Sequence, residues 1–252
     1  MSNRNNKAIV QQAITELLQQ KDLTALDRYW GTPYIQHNPT LPDGVEVLKG
    51  LVPATQAFDV RRTLAEGDYV VTHSLATGWG PQPMVVFDIF RLQAGKMVEH
   101  WDVILPQAEK TVSGRTQLDG PTQIADTDQT AANKQKIQEF FDVILYGGQM
   151  DKITTYISPV TYHQHNPGVG DGLDGFGKAM ADLAQAGLHM IYQKTHRLIA
   201  EGNFVFTHSE GEFAGKRVAF ADLFRLDNGL IVEHWDVVQE IPVDAKNANG
   251  MF

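Results

Sequence analysis

The sequence contains the hexapeptide Val-Glu-His-Trp-Asp-Val twice, and both copies hold the residue types needed for proton transfer. Alternate residues of a β-strand point to the same face of the sheet, so the His and the Asp of each copy would lie side by side. A further Asp occurs in the strand-like segment that precedes each copy. The candidate catalytic residues are therefore Asp88, His100 and Asp102 in the first half, and Asp222, His234 and Asp236 in the second.

Two carboxylates and an imidazole in an apolar cavity could divide the roles of acid and base. Burial and mutual repulsion would separate their pKa values, so one carboxyl could stay protonated while the other ionises. The ionised Asp could remove a proton alpha to a ketone, and the His or the protonated Asp could stabilise the enolate oxygen. Aldol, retro-aldol and double-bond isomerisation reactions share this step. The competing interpretation for Asp102 and Asp236 is a structural ion pair with an Arg such as Arg91 or Arg225.

The two hexapeptides belong to a longer internal repeat. The segment YIQHNP returns as YHQHNP, and AEGDYVVTHS returns as AEGNFVFTHS, in the same order in both halves. Ordered matches of this kind indicate two copies of one domain of roughly 110 to 120 residues. We predict the two domains at residues 1–112 and 131–252, joined by a polar linker at 113–130 that contains Gly and Pro.

Each copy has the pattern of helices followed by strands. The segments NNKAIVQQAITELLQQ and NKQKIQEFFDVILYGG show helical spacing of apolar residues, and shorter second and third helices are predicted before and after the His-Asn-Pro turn. The segments DYVVTHSLATG, MVVFDIFRL and KMVEHWDVIL are typical of strands, with hairpin turns at AGK and DNGL. The predicted fold class is α+β, with about three helices packed on a strongly curved antiparallel sheet that would enclose an apolar pocket.

The segments YIQHNP, FDIFRL and GKMVEHWDVI, together with FADLFRL and GLIVEHWDVV, resemble the SnoaL-like polyketide cyclases of the nuclear transport factor 2-like superfamily. The resemblance implies two cone-shaped domains, each with a pocket in which an Asp acts on a carbonyl substrate. The Asp of the final cyclase strand falls on Asp102 and Asp236. The usual His partner falls on Asp88 and Asp222, where this chain has a carboxylate in place of the imidazole.

The resemblance also bears on assembly, because domains of this superfamily commonly pair through the outer face of the sheet. A monomer could therefore be an intramolecular pseudo-dimer, and a higher homo-oligomer is the alternative.

Within the first domain, the hairpin register decides whether Asp88 joins the site. A three-residue turn at Gln93–Gly95 would place Asp88 opposite His100 on the same face, whereas a two-residue turn would place it on the other face. The geometry implied by the resemblance favours the first register.

Four further histidines are candidate ligand-binding residues: His37, His73, His165 and His208. Two of them, His37 and His165, precede Asn-Pro, where an imidazole can either line a pocket or stabilise a turn. Asp43 and Asp171 precede Gly and are predicted to be turn or helix-cap residues.

Two other patterns suggest ligands, but we predict neither a metal nor a cofactor. The segment HQH would place His163 and His165 on one strand face, a spacing that suits a metal. The first half has Ile35 in place of His163, and no third ligand is specified locally. The segment GDGLDG fits a dinucleotide-binding pattern formally, but it carries Asp171 and Asp174 where a pyrophosphate would approach.

Composition narrows the possible partners. The 252-residue chain has a net charge of −9 and a pI near 5.4, so it has no excess of Lys and Arg for nucleic acid or anionic membrane. The absence of Cys excludes disulfides and thiol chemistry, and the polar amino terminus leads us to expect a cytoplasmic protein. The predicted ligand is a small hydrophobic carbonyl compound, and the alternatives are a non-catalytic binding protein or an assembly protein of the same fold.

Overall fold

The computed structural model describes residues 3–252, with side chains from Asn5 onward, and divides into two compact units. Unit 1 contains the residues up to Gln107 together with Ile241–Phe252, and unit 2 is Ala108–Glu240. Within the described part of the chain, no helix is both long enough and apolar enough to cross a membrane.

The unit boundaries differ from the predicted ones at two segments. Residues 108–130, of which 108–112 are predicted in the first domain and 113–130 as the linker, are part of unit 2, and residues 241–252, predicted in the second domain, are part of unit 1. The physical reason is specific hydrogen bonding. Each segment is bound to a Gln-His-Asn-Pro turn, through Ser113 in unit 2 and through Asn249 in unit 1. Local polarity correctly indicates that the segments are irregular, but it does not reveal which unit they bind.

Unit 1 consists of three helices and one sheet. The helices are α1 (Asn3–Ile14, continued by a π-helical turn at Thr15–Gln19), α2 (Ala25–Tyr29) and α3 (Leu48–Ala54, preceded by a 3₁₀ turn at Val45–Val47). The strands are β1 (Trp30–Gln36), β2 (Ala57–Glu66), β3 (Tyr69–Thr77), β4 (Met84–Gln93) and β5 (Lys96–Pro106). Their order is β1-β5-β4-β3-β2, with β1 parallel to β5 and the other pairs antiparallel.

Unit 2 repeats this arrangement. Its helices are α4 (Thr130–Phe140, with a 3₁₀ turn at Thr127–Gln129 before it and a π-helical turn at Phe141–Tyr146 after it) and α5 (Gly172–Gln185), with a 3₁₀ segment at Met150–Thr155 between them. Its strands are β6 (His163–Gln164), β7 (Met190–Glu201), β8 (Phe204–Phe213), β9 (Lys216–Asp227) and β10 (Leu230–Glu240). The strand order β6-β10-β9-β8-β7 matches that of unit 1.

The helices cover one face of each sheet and form the apolar core there. In unit 1, Ile14 and Leu17 belong to one buried cluster with Val86 and Phe90 of β4. In unit 2, Phe140, Phe141 and the strand residue Phe224 form the corresponding cluster, and Phe224 lies where Phe90 does. The predicted fold class of two α+β cone domains is confirmed.

The hairpin between β4 and β5 places Asp88 on the predicted face of the sheet, but its turn and register differ from the predicted ones. The turn has two residues, Ala94 and Gly95, both with positive φ, rather than the predicted three. One extra residue, Val98, then bulges from β5 and shifts the register by one position. Asp88 consequently faces Asp102 directly and not His100, but all three side chains share one face. The second hairpin has the same construction, with the turn Asn228–Gly229, the extra residue Val232, and the facing pair Asp222 and Asp236.

Candidate functional site

The structure brings the six predicted catalytic residues together as two equivalent clusters, one in each unit. These are Asp88, His100 and Asp102 in unit 1, and Asp222, His234 and Asp236 in unit 2. Each residue is between 1% and 9% exposed, and one donor atom from each lies within 4.8 Å of the other two in its cluster. Each cluster lies on the helix-facing side of its sheet, since Val86 and Phe90 of the apolar core flank Asp88 on β4.

Hydrogen bonds determine the tautomer of His100. Gln36 Oε1 accepts the backbone N–H of Asn38 at 2.9 Å and lies 3.0 Å from His100 Nδ1, so Nδ1 must carry a proton. The other ring nitrogen, Nε2, lies 3.0 Å from Asp88 Oδ1. An imidazole lone pair and a carboxylate oxygen would repel each other at this distance. His100 and Asp88 therefore form a dyad that holds one proton between Nε2 and Oδ1.

The dyad of unit 2 has the same arrangement. His234 Nε2 is 3.0 Å from Asp222 Oδ1, and His234 Nδ1 is 3.2 Å from Gln164 Oε1. Gln164 Oε1 also accepts the backbone N–H of Asn166 at 3.2 Å, while its Nε2 donates to the Tyr162 hydroxyl at 3.0 Å. The amide orientation of Gln164 is therefore set from both ends, and His234 takes the same tautomer as His100.

The remaining carboxylate of each cluster has a raised pKa. Asn38 Nδ2 donates to Asp102 Oδ2 at 2.8 Å, whereas no described residue donates a hydrogen bond to Asp102 Oδ1. Burial raises the pKa of Asp102 to about 6; the neighbouring Asp88 charge adds to this, and His100 and Asn38 oppose it. Asp236 accepts a hydrogen bond from Asn166 at 2.7 Å, and burial raises its pKa as well. A carboxylate with a raised pKa thus lies beside each dyad.

The pKa values of the two imidazoles are shifted in the direction that favours their protonated forms. Burial lowers the pKa of His100, but the hydrogen bond to Asp88 and the charges of Asp102 and Asp88 outweigh it, so the pKa is raised. The same balance, with Asp222 and Asp236, raises the pKa of His234. Each cluster therefore contains both a proton donor and a proton acceptor within a buried site.

The arginines bind other carboxylates, contrary to the ion-pair interpretation of Asp102 and Asp236. Arg91 Nε lies 2.6 Å from Glu99, and Arg225 Nε lies 2.8 Å from Glu233. Glu99 alternates with His100 along β5, so this ion pair lies on the opposite face from Asp102. The pKa of Glu233 is lowered, because the hydrogen bonds from His165 and Arg225 outweigh the effect of burial.

His37 and His165 join these ion pairs and not the clusters. His37 Nε2 is 2.9 Å from Glu99, its Nδ1 is 2.8 Å from the Gly250 carbonyl, and its ring stacks on Trp101 at 4.6 Å. His165 has the equivalent contacts with Glu233, the Thr116 carbonyl and Trp235. Of the two interpretations considered for the His-Asn-Pro segments, the structure matches the turn. Both ring nitrogens are engaged, so these histidines hold the turn against the sheet rather than line a pocket.

His73 and His208 also lie away from the clusters. His73 stacks on Phe87 at 4.2 Å, and its Nδ1 is 3.2 Å from Arg62. His208 Nδ1 is 3.2 Å from Arg197. The preceding residue of each strand faces the site instead, since Thr72 donates to Asp88 at 3.1 Å and Thr207 to Asp222 at 3.4 Å. The register with the neighbouring strand, and not the residue type, decides which of the two residues faces the site.

The other sequence patterns have structural roles. Asp43 and Asp171 accept the backbone N–H groups of Gln36 and Gln164, each at 2.8 Å, which agrees with their predicted turn role. His163 lies 3.5 Å from Asp171, while both nitrogens of His165 are already engaged, so the HQH segment does not form a metal site. Among the residues that the structure describes, the groups that could hold a divalent cation are the two clusters themselves, whose carboxylates and imidazole are suitable ligands.

Several site residues were missed by the sequence analysis. In unit 1 they are Tyr34, Gln36, Asn38 and Thr72, and in unit 2 they are Tyr162, Gln164, Asn166 and Thr207. A signal for them existed, because all four types recur at equivalent positions of the repeat. Recurrence alone, however, does not separate residues that face the cluster from those that stabilise a turn.

The C-terminal segment positions the cluster of unit 1. Asn249 Nδ2 donates to the Gln36 carbonyl at 2.9 Å, and Asn247 Nδ2 donates to the carbonyls of Asn38 and Leu41 at 2.7 and 2.9 Å. Gln36 and Asn38 in turn contact His100 and Asp102. In unit 2, the hydroxyl of Ser113 takes the place of Asn249 and donates to the Gln164 carbonyl at 2.7 Å.

We expect the double variant Asn247→Ala, Asn249→Ala to loosen the unit 1 cluster selectively. Buried carbonyl groups would lose their donors, at a cost of about 1–3 kcal/mol each. Amide hydrogen exchange should accelerate around Gln36 and Asn38 and stay unchanged at Gln164. The matched variant Ser113→Ala should have the reverse effect, and equal acceleration in both units would contradict a local role.

The fold and the clusters together define the class of protein: a pair of α+β cones, each with a buried Asp-His-Asp site on the helix-facing side of its sheet. The model of the SnoaL-like domain family matches residues 137–234, in the second half of the chain, and this match agrees with the resemblance. Unit 1 repeats the strand order and the cluster of that domain.

Solved structures with similarity to part of the chain include proteins from three organisms. One is an NTF2-like protein of unknown function from Burkholderia xenovorans LB400, with 16% identity over 43% of this chain and 89% of that chain and a TM-score of 0.38. Another is a SnoaL-like polyketide cyclase from Agrobacterium tumefaciens str. C58, with 16% identity, 42% and 91% coverage, and a TM-score of 0.33. The third is a steroid delta-isomerase from Pseudomonas aeruginosa, with 22% identity, 40% and 80% coverage, and a TM-score of 0.35. No curated protein matches the chain.

Proposed function

We propose that the protein is an enzyme that transfers protons on a small hydrophobic carbonyl compound, in an aldol-type cyclisation or an isomerisation. The observation that supports this most strongly is the buried carboxylate of Asp102. It has a pKa of about 6, and it lies beside a dyad that holds one proton. General acid–base catalysis is most effective when the pKa of the catalytic group lies near the working pH.

The proposed reaction starts with ionised Asp102. Its Oδ1 removes a proton from the carbon alpha to the carbonyl, and the electron pair of that C–H bond moves onto the carbonyl oxygen as an enolate. The dyad of His100 and Asp88 then transfers its shared proton to the enolate oxygen, and the hydrogen bond between Nε2 and Oδ1 is given up in that transfer. In an isomerisation, Asp102 returns its proton to a different carbon. In an aldol cyclisation, the enolate carbon attacks a second carbonyl carbon, and the new alkoxide takes up the proton.

The surroundings of the clusters favour an apolar substrate. The ring of Phe90 lies 4.9 Å from that of His100, and the ring of Phe224 lies 4.9 Å from that of His234. Tyr34 and Tyr162 are also buried, and burial raises the pKa of both hydroxyls well above the ordinary value, so both remain neutral. Neutral and aromatic groups around a buried carboxylate keep water away from it and strengthen its electrostatic interactions.

The second candidate function is non-catalytic binding of a small apolar molecule, or an assembly role. One observation favours it, namely a cavity of about 450 Å³ in unit 1 that does not involve the cluster. Its lining combines apolar residues such as Leu26 and Trp30 with charged residues such as Asp27 and Lys49. A ligand held there would have no contact with the groups that transfer protons.

The test is deuterium exchange at the alpha carbon. A panel of alicyclic and aromatic ketones would be incubated with the full-length protein in D₂O, in the presence of a chelator, and followed by ¹H NMR. We expect one subset of ketones to exchange faster than in protein-free buffer. Binding of ketones without exchange would overturn the enzymatic proposal in favour of a binding protein. Exchange that requires an added divalent cation would contradict its metal-free form.

A further inference from the structure

The unit 1 cluster has the composition and spacing of a site for a divalent cation. Asp88, His100 and Asp102 offer two carboxylates and one imidazole, and one donor atom from each lies within 4.8 Å of the other two. His100 Nε2 and Asp88 Oδ1 are 3.0 Å apart. Adjacent ligands of an octahedral cation are separated by about 3 Å, because their bonds to the cation are about 2.1 Å long and meet at right angles. The spacing within the dyad therefore suits two ligands of one cation.

The hydrogen bonds around the cluster leave one atom of each residue for ligation. Gln36 accepts the proton on His100 Nδ1, so Nε2 is the nitrogen that could bind a cation. Asn38 donates to Asp102 Oδ2, and a threonine hydroxyl donates to Asp88 Oδ2, which leaves Oδ1 of each carboxylate. Histidines and carboxylates that bind metals are commonly oriented by such hydrogen bonds to the atom that does not bind. The cluster therefore has its ligands and the groups that orient them.

Asp102 presents a buried carboxylate oxygen that has no hydrogen-bond donor. The residue is 5% exposed, and no residue that the structure describes donates a hydrogen bond to its Oδ1. A buried polar atom without a partner raises the free energy of the folded protein. A cation bound to Oδ1 would supply the missing partner.

The two buried carboxylates also have little positive charge nearby. Among the described residues, no lysine or arginine forms an ion pair with Asp88 or Asp102, and the one basic group in the cluster is the imidazole of His100. Buried charge is costly unless it is paired. A divalent cation would balance both carboxylates, whereas the single proton of the dyad balances one.

The unit 2 cluster has the same residue types but a different set of hydrogen bonds. Tyr192 Oη lies 3.0 Å from Asp222 Oδ1 and 3.2 Å from Asp222 Oδ2, and a phenol can only donate to an ionised carboxylate. Asp222 Oδ1 therefore has a donor in addition to His234, which lies 3.0 Å away. For this reason unit 1 is the better candidate, and unit 2 provides a reference within the same chain.

We propose that Asp88, His100 and Asp102 bind one divalent cation of the first transition row, such as Zn²⁺ or Co²⁺. An imidazole nitrogen suits these cations, whereas Mg²⁺ and Ca²⁺ prefer oxygen ligands alone. The cation would form bonds to His100 Nε2 and to Oδ1 of each aspartate, and the proton of the dyad would pass to solvent. Cation binding goes beyond the proposed function and does not rest on it, although the same three groups take part in both.

The experiment is a titration of the metal-free full chain with Co²⁺, followed by visible absorption, and with Zn²⁺, followed by calorimetry. We expect the wild type to show a binding event that Asp102→Asn weakens by at least about tenfold, because the loss of a residue that merely orients a ligand already costs that much. The matched control is Asp236→Asn, which makes the same change in unit 2 and should retain the event. Asp59→Asn, at an exposed carboxylate, should also retain it.

Two results of the titration would overturn the cation site. One is Asp102→Asn protein that binds Co²⁺ and Zn²⁺ as tightly as the wild type. The other is Asp236→Asn protein in which binding is weakened as much as in Asp102→Asn. If Asp102→Asn fails to fold, Asp88→Asn removes a different ligand and should weaken the same event.

X-ray absorption by the Co²⁺-bound wild type tests the ligands without any variant. We expect one imidazole for each bound cation, and either none or two would contradict a site built on His100. None of these measurements needs a substrate. If the cation binds but no ketone exchanges its alpha protons in the presence of a chelator, the proposed function fails while the cation site stands.

Discussion

Replacing both buried aspartates, in the double variant Asp102→Asn, Asp236→Asn, is expected to reduce alpha-proton exchange on a substrate ketone by about 10²- to 10⁴-fold. This range is the usual contribution of a positioned general base. Asn has nearly the same shape and can accept the hydrogen bonds from Asn38 and Asn166, but it cannot take up the proton. The measurement is the initial exchange rate by ¹H NMR, with folding checked by circular dichroism.

The single variants and a control make this prediction specific. Asp102→Asn should remove the share of exchange contributed by unit 1, whose rate should rise with pH as Asp102 ionises near about pH 6. The control is Asp59→Asn, because Asp59 is an exposed carboxylate paired with Arg61. It should leave the rate of alpha-proton exchange unchanged. If the double variant keeps most of the wild-type rate, the aspartates are not the bases and the proposed mechanism is wrong.

The single substitution Asp102→Asn is expected to stabilise the folded protein at high pH. Because the pKa of Asp102 is raised from 3.8 to about 6 by folding, ionised Asp102 destabilises the native state by up to about 3 kcal/mol, at about 1.4 kcal/mol for each pH unit. Its favourable contribution is present below the unfolded value of 3.8 and is lost as the pH rises through about 6. Asp102→Asn removes this dependence, although it also removes the attraction between Asp102 and His100.

The measurement is urea unfolding of the wild type and of Asp102→Asn at about pH 8 and about pH 4. We expect the variant to be the more stable protein at the higher pH and the advantage to disappear at the lower one. Asp59→Asn is again the control and should show no such pH dependence. A variant that is less stable than the wild type at about pH 8 would mean that Asp102 is stabilised by contacts in its ionised form.

Much of the fold and half of the site follow from local sequence patterns. Helical spacing in the amino-terminal segment of each repeat predicts α1 and α4, and strand alternation predicts that His100 and Asp102 share a face. Both depend only on residues adjacent in the chain, so no tertiary information is needed. Two strands of unit 1, β2 and β1, lie outside the predicted strand segments, and the reason is clearest for β1. It pairs in parallel with β5, more than sixty residues later, and no local period shows such a partner.

The remaining half of the site depends on tertiary contacts. The bulge at Val98 places Asp88 against Asp102, and a bulge is a choice of register that strand periodicity alone does not reveal. Likewise, His37 and His100 are both histidines in or next to predicted strands. His37 binds Glu99 and holds a turn, whereas His100 forms the dyad with Asp88. Their roles are separated by the face of the sheet on which each lies.

Repeats and periodicities are properties of neighbouring residues, so they already predict a repeated α+β domain with acid–base residues on its last strand. The folded chain is needed to identify which carboxylates share a proton, which histidines hold turns, and which unit each polar segment binds. These features depend on distance and burial. A hydrogen bond or a pKa depends on atoms a few ångströms away in space, and the chain brings those atoms together from positions far apart in sequence.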